Sequence, residues 1–155
     1  MVDSFCIVLD FDGTVVKHAY PDIGEDIGAV PILKRLTRNG CRLILNTMRS
    51  HDSSGEDTLQ PALDWFEKHG ILLYGVNENP AQKEWTSSPK VYGNLYIDDG
   101  ALGAPLTADE DGKAYMDWNK AALYLYYMGL LSDNDIIELV KSGEVKLEIM
   151  AKGNE

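Results

Sequence analysis

The sequence predicts an α/β fold built on a doubly wound parallel sheet. Two observations carry that expectation. Short apolar runs alternate with amphipathic segments in the order βαβαβ. Two of those runs, at Leu9 and Ile97, stop abruptly in aspartates, as strands buried on both faces do when they reach the ligand-binding edge of an open sheet.

The first strand is read from Ser4–Leu9, where Phe5, Cys6, Ile7, Val8 and Leu9 leave no polar face. After a loop containing Gly and Pro, residues 29–38 place Val30, Leu33 and Leu36 at helical spacing, with Pro31 near the start and Asn39-Gly40 as a stop. Cys41–Leu45 is the second strand, Leu59–Lys68 the second helix, and Ile71–Val76 the third strand. Val91–Ile97 is the fourth strand and runs directly into Asp98-Asp99-Gly100.

Residues 107–155 form an extension expected to be mainly α-helical. A polar stretch over 107–113 precedes a helix at 118–128 closed by Gly129, and a second helix at 132–141 opens with Ser132 and Asp135 at capping-box spacing. Residues 145–149 alternate apolar and charged side chains, as an edge strand does, although so short a pattern also fits a helical continuation. Trp118, Leu125 and Met128, with Tyr124, Tyr126 and Tyr127, make the first of these helices rich in aromatic residues, a pattern that serves core packing or a homo-oligomer interface.

Bulk properties restrict the reading further. The chain of 155 residues, 45% of them hydrophobic, is expected to be one domain over 1–155, with a core at about 4–106. No apolar run approaches the roughly 18 residues of a membrane span and no signal pattern opens the chain, so a cytoplasmic location is expected, with no membrane partner. Cys6 and Cys41 each open a strand and are expected to be reduced and structural. The net charge of −11 repels polyanions and argues against nucleic acid as a partner, while a small phosphorylated substrate beside a metal is less affected.

The chemistry is concentrated at strand ends. Asp10-Phe11-Asp12-Gly13-Thr14 places two carboxylates two positions apart after the first strand, one suited to act as nucleophile and the other as general acid and base. Thr47 follows the second strand and can donate a hydrogen bond to a phosphoryl oxygen. Lys90 precedes the fourth strand and can neutralise phosphate charge, whereas Asp98 and Asp99 supply hard oxygen ligands suited to Mg²⁺. Lys83 competes for the lysine role, and the spacing to Asp98 favours Lys90. Arg49, His51 and Asp52 lie where they would contact a leaving group or simply keep a loop polar; Arg49 is the substrate-binding candidate among them. Glu25 and Asp26 either cover the site or favour the start of the following helix.

Strand then Asp-x-Asp-Gly-Thr, strand then Thr, Lys, strand then Asp-Asp: this order resembles the haloacid dehalogenase superfamily. Residues 20–25 and 90–99 look more narrowly like its small bacterial and phage phosphatases with little or no cap, over roughly residues 5–106. The intervals 15–40 and 48–89 leave no room for a large cap. The resemblance implies a Mg²⁺-dependent hydrolase of phosphoric monoesters. Asp10 would form an aspartyl phosphate, Asp12 would protonate the leaving alcohol and activate water, and Thr47 and Lys90 would bind the phosphoryl group. Mg²⁺ would sit on the Asp10 carboxylate, the Asp12 carbonyl and Asp98, with Asp99 ligating through water or orienting Lys90. Gly100, where that group often has a basic residue, and the extension are departures that bear on the substrate. A small metabolite such as a sugar phosphate or nucleotide is the expected substrate; a polynucleotide end phosphatase and a non-catalytic protein that sequesters a phosphorylated ligand are the alternatives.

Overall fold

The computed structural model describes residues 4–51 and 55–147. Four parallel strands, β1 (Cys6–Leu9), β2 (Arg42–Leu45), β3 (Leu73–Val76) and β4 (Leu95–Ile97), form one sheet in the order β3-β2-β1-β4. Ile7 pairs with Leu43 on one side and Leu95 on the other, so β1 is central and all four of its residues are buried. The order reverses direction between β3 and β4. A right-handed crossover then puts the connection 77–94 on the opposite face from the earlier ones.

Alternation along the strands divides the interior in two. Ile7, Leu9, Leu43 and Leu45 face the larger core, where they meet α1 (Ala29–Arg38) through Ile32, Leu33 and Leu36, and α2 (Leu59–Lys68) through Ala62, Trp65 and Phe66. The extension packs on that same face. Its helices α3 (Trp118–Tyr127) and α4 (Asp133–Lys141) contribute Trp118, Ala122, Leu125 and Leu139. Cys6, Val8 and Ile44 face a smaller core closed by Val91, and the 77–94 connection there holds only a single 3-10 turn, Gln82–Glu84. Both cysteines are free and buried, and burial raises their thiol pKa values, which keeps them unreactive.

Several boundaries differ from the sequence expectation, each for a local reason. The fourth strand is three residues long because Asn94 turns its amide group onto β1: its side-chain oxygen accepts from Cys6 N (2.8 Å) while its own N–H donates to the Cys6 carbonyl. Upstream, the buried Gln82 carboxamide accepts from Tyr92 N and donates to the Lys90 carbonyl, so 90–92 follows a side chain and not a neighbouring strand. β3 starts at Leu73, since Ile71 N instead caps α2 through the Phe66 carbonyl.

The extension is not wholly helical. Residues 106–116 form an antiparallel hairpin, β5 (Leu106–Ala108) with β6 (Ala114–Met116), around a turn in which Gly112 has φ 75°. Strands of three residues are too short to show period-two alternation, which is why the polar sequence concealed them. The Ser132–Asp135 capping box is present. In α3, Trp118 and Leu125 are buried while Tyr124 and Tyr127 are exposed, as is Met128 directly after it. Residues 145–147 are not a strand, and the rest of the expected tail strand lies outside the described residues. Among the described residues no helix is long and apolar enough to cross a membrane.

Candidate active site

β1 and β4 are neighbours and end level with each other: Asp10 N donates to the Ile97 carbonyl (3.0 Å). Their following residues therefore emerge side by side. Asp10, Asp98 and Asp99 each offer an oxygen, and these oxygens lie within 4.8 Å of one another. Thr14, fully buried, sits between two of them. Its Oγ1 is 3.1 Å from Asp10 Oδ2 and 3.2 Å from Asp99 Oδ1, and accepts from Asp99 N at 2.9 Å. One hydroxyl proton serves only one carboxylate at a time, so the cluster stays short of donors.

Among the described residues, no lysine or arginine forms an ion pair with Asp10, Asp98 or Asp99; the one basic side chain in contact with them is His18, Nε2 to Asp99 Oδ2 at 2.8 Å. Burial pushes the Asp10 carboxyl up to about 6. The charges of Asp98 and Asp99 add to the rise, against hydrogen bonds from the Phe11 N–H and the Thr14 hydroxyl. Three convergent carboxylates without a cation are a donor set that suits a hard divalent ion.

The loop carrying Asp12 to Thr14 is fixed by the extension. Met116 N donates to the Gly13 carbonyl (2.8 Å), and Trp118 Nε1 donates to the Thr14 carbonyl (2.8 Å) in a buried contact. Gly13 has φ 80°, and a Cβ there would collide with His18 Nε2 and Asp99 Oδ2. The backbone conformation calls for glycine, and a side chain there would also displace the His18–Asp99 contact. Lys17 ties the loop outward as well, pairing with Asp109 (2.8 Å) and Glu25 (3.1 Å).

Asp12 is turned away from the three acids. Its carboxylate receives two parallel hydrogen bonds from Arg49, Nε to Oδ2 and an Nη to Oδ1, both 2.7 Å. Arg49 is 1% exposed and also donates to the carbonyls of Pro21, Asp22 and Thr58. A guanidinium engaged in this way holds Asp12 and the 20–22 loop and has no donor left for substrate. The substrate contact expected of Arg49 is thereby replaced by a positioning role. Thr47 lies on the same sheet edge, following Asn46, whose N–H donates to the Leu9 carbonyl; its Oγ1 accepts from Arg49 N (3.2 Å).

The lysines are not brought to the acids. The Lys90 ammonium lies over the Tyr96 ring, 5.6 Å from its centroid, and Lys83 pairs with Glu78 (2.8 Å); both are exposed. His51 pairs with Asp57 at the surface (2.7 Å), and Asp26 accepts from Gly28 N just before α1. Asp52 lies outside the described residues. Two contributors escaped the sequence reading. Thr14 stood inside the motif, where its buried position was not visible, and His18 lies in a loop with no pattern to single it out.

No protein-family model matches this chain, and no curated protein matches it. Among solved structures it is similar to the conserved protein coded by a locus from Bacteroides thetaiotaomicron, at 31% identity and a TM-score of 0.63, over 86% of this chain and 98% of that one.

Proposed function

We propose that this chain, which belongs to the same family as that conserved Bacteroides thetaiotaomicron protein, is a magnesium-dependent phosphomonoesterase of the haloacid dehalogenase type, with Asp10 as nucleophile. The observation that supports it is the convergence of Asp10, Asp98 and Asp99 within 4.8 Å where two adjacent strands end. The fold class and the order of motifs agree with it.

In this reading Asp10, Asp98 and Asp99, with the Asp12 carbonyl, hold Mg²⁺. When bound, the ion offsets phosphate charge and keeps the Asp10 carboxyl ionised at neutral pH. An Asp10 oxygen attacks phosphorus; the bond from phosphorus to the ester oxygen breaks, and Asp12, once turned out of its Arg49 pair and protonated by solvent, gives its proton to the departing alkoxide. Asp12 then takes a proton from water, whose oxygen attacks the aspartyl phosphate. Cleavage of the phosphorus–Asp10 bond releases inorganic phosphate and restores both acids. Arg49 holds Asp12 in its resting position, which Asp12 leaves for the proton transfers, and Thr47 donates to a phosphoryl oxygen. Lys90 joins the phosphate only after leaving the Tyr96 ring.

The −11 charge disfavours a polynucleotide substrate in favour of a small phosphorylated one. Phosphate release from p-nitrophenyl phosphate, sugar phosphates and nucleotides, with Mg²⁺ or EDTA, tests the proposal. Turnover that needs the metal and disappears in Asp10→Asn is expected. Phosphorylated ligands that bind without turnover would point to the sequestering alternative.

A further inference from the structure

Beside the acid cluster lies a cavity of about 200 Å³ between β4, the 101–105 loop and α3. Its walls are apolar: Ile97, Pro105, Met116 and Leu125 line it, and Asp98 is the one charged residue on its surface. Asp98 is thus shared between the cavity and the three-carboxylate group.

The mouth exposes apolar side chains to water. Leu102 is fully exposed, and Tyr124 and Met128 are each about half exposed. Exposed apolar side chains around a concave, apolar pocket mark a place that is covered in use. A flat partner surface would leave the cavity unfilled and bring its own atoms against the Asp98 carboxylate. A small molecule with an anionic end held at the metal site and an apolar body fits both the shape and the charge pattern.

We infer that this cavity binds the alcohol part of the substrate, and that the substrate class is phosphomonoesters of compact apolar or aromatic alcohols. The inference rests on the phosphomonoesterase reading for its chemistry and on the cavity for its specificity. A sugar would bury hydroxyls against Ile97, Met116 and Leu125 with no partners for them, which costs binding. A benzyl or branched alkyl group loses nothing there and gains burial. Leu102, standing in the loop at the mouth, gains cover when the cavity fills.

The test uses the full chain. It compares kcat/KM for benzyl phosphate and glycerol phosphate, whose leaving alcohols are alike in reactivity, with Mg²⁺ present. In parallel it measures equilibrium binding of benzylphosphonate and methylphosphonate. A preference for the benzyl compound of about tenfold or more is expected in both readouts. In Ala101→Trp, which places an indole at the mouth, the preference should collapse towards one. In Leu102→Ser, where the replaced side chain touches only solvent and the fold is unaffected, it should fall severalfold. Equal treatment of the two compounds by the wild type, or a preference that both variants retain, overturns the inference. A chain that hydrolyses neither ester but binds benzylphosphonate selectively, and loses that selectivity in Ala101→Trp, removes the hydrolase reading and leaves the cavity assignment standing.

Discussion

Two groups of acids in this molecule sit in opposite circumstances. Asp135, at the start of α4, is 2% exposed and fully engaged. Burial alone would raise its pKa, but hydrogen bonds from the Ser132 backbone, Asn39, the Ser132 hydroxyl and Arg38 outweigh it and hold the carboxyl down at about 2. Asp10 is partly buried, accepts from the Phe11 N–H, shares the Thr14 hydroxyl with Asp99 and faces two further negative charges; burial first, and then those charges, raise its carboxyl to about 6. The difference separates purposes. A buried acid with hydrogen bonds to both of its oxygens fastens α4 to α1; a group of acids converging where two strands end is a donor set that could hold a metal ion.

That contrast can be broken at its active end first. Asp12→Asn keeps the shape of the side chain while removing its proton chemistry, and kcat per folded molecule should fall by at least about 100-fold; because it also leaves buried Arg49 without its countercharge, it should cost about 3–5 kcal/mol in urea unfolding, and a variant that retains most of its turnover would remove Asp12 from the mechanism. Asp135→Ala should do the reverse. Losing the cap and the charged hydrogen bonds should cost about 2–3 kcal/mol in urea unfolding, while kcat per folded molecule stays as it was.

Smaller effects sharpen the comparison. In EDTA, Asp98→Asn relieves repulsion at Asp10 and should raise the melting temperature by roughly 2–4 °C, as about 1 kcal/mol does for a domain of this size. The same variant should lose most of the stabilisation that Mg²⁺ gives the wild type. A lower melting temperature in EDTA would mean that the acids are not in conflict.

The pH dependence has two limbs of opposite sign. Asp135 has a folded pKa below its unfolded value of about 3.9, so its contribution is present above pH 4 and is lost as pH falls towards 2. Asp10 has a folded pKa above its unfolded value, so the metal-free fold is penalised above pH 6 and relieved as pH falls from 6 towards 4. Thermal melts of the metal-free chain should therefore show stability rising slightly from pH 7 to pH 5. Asp10→Asn should flatten that limb and leave the acid limb unchanged.

The sequence made the sheet and the acid motif legible because both are written in short contiguous runs: an apolar strand ending in Asp10, another ending in Asp98 and Asp99. Four-residue β1 could not be mistaken, since every one of its side chains is apolar. What stayed hidden depends on pairs distant in sequence. Nothing near Arg49 indicates that it closes on Asp12, 37 positions away, and nothing near Trp118 shows that its indole supports Thr14, 104 positions away. The hairpin at 106–116 was concealed by strands too short for periodicity. The placement of Lys90 over Tyr96 turns on a side-chain contact, which spacing does not specify.

The most direct test of the account is to find the phosphoryl group on the protein. The chain is mixed with Mg²⁺ and a turned-over phosphomonoester, quenched in acid during the steady state, and mapped by peptide mass spectrometry. A hydroxylamine-labile phosphoryl adduct on Asp10, absent from Asp10→Asn, is the predicted result; steady turnover with no adduct, or with the adduct on another residue, would contradict the assignment of Asp10 as nucleophile.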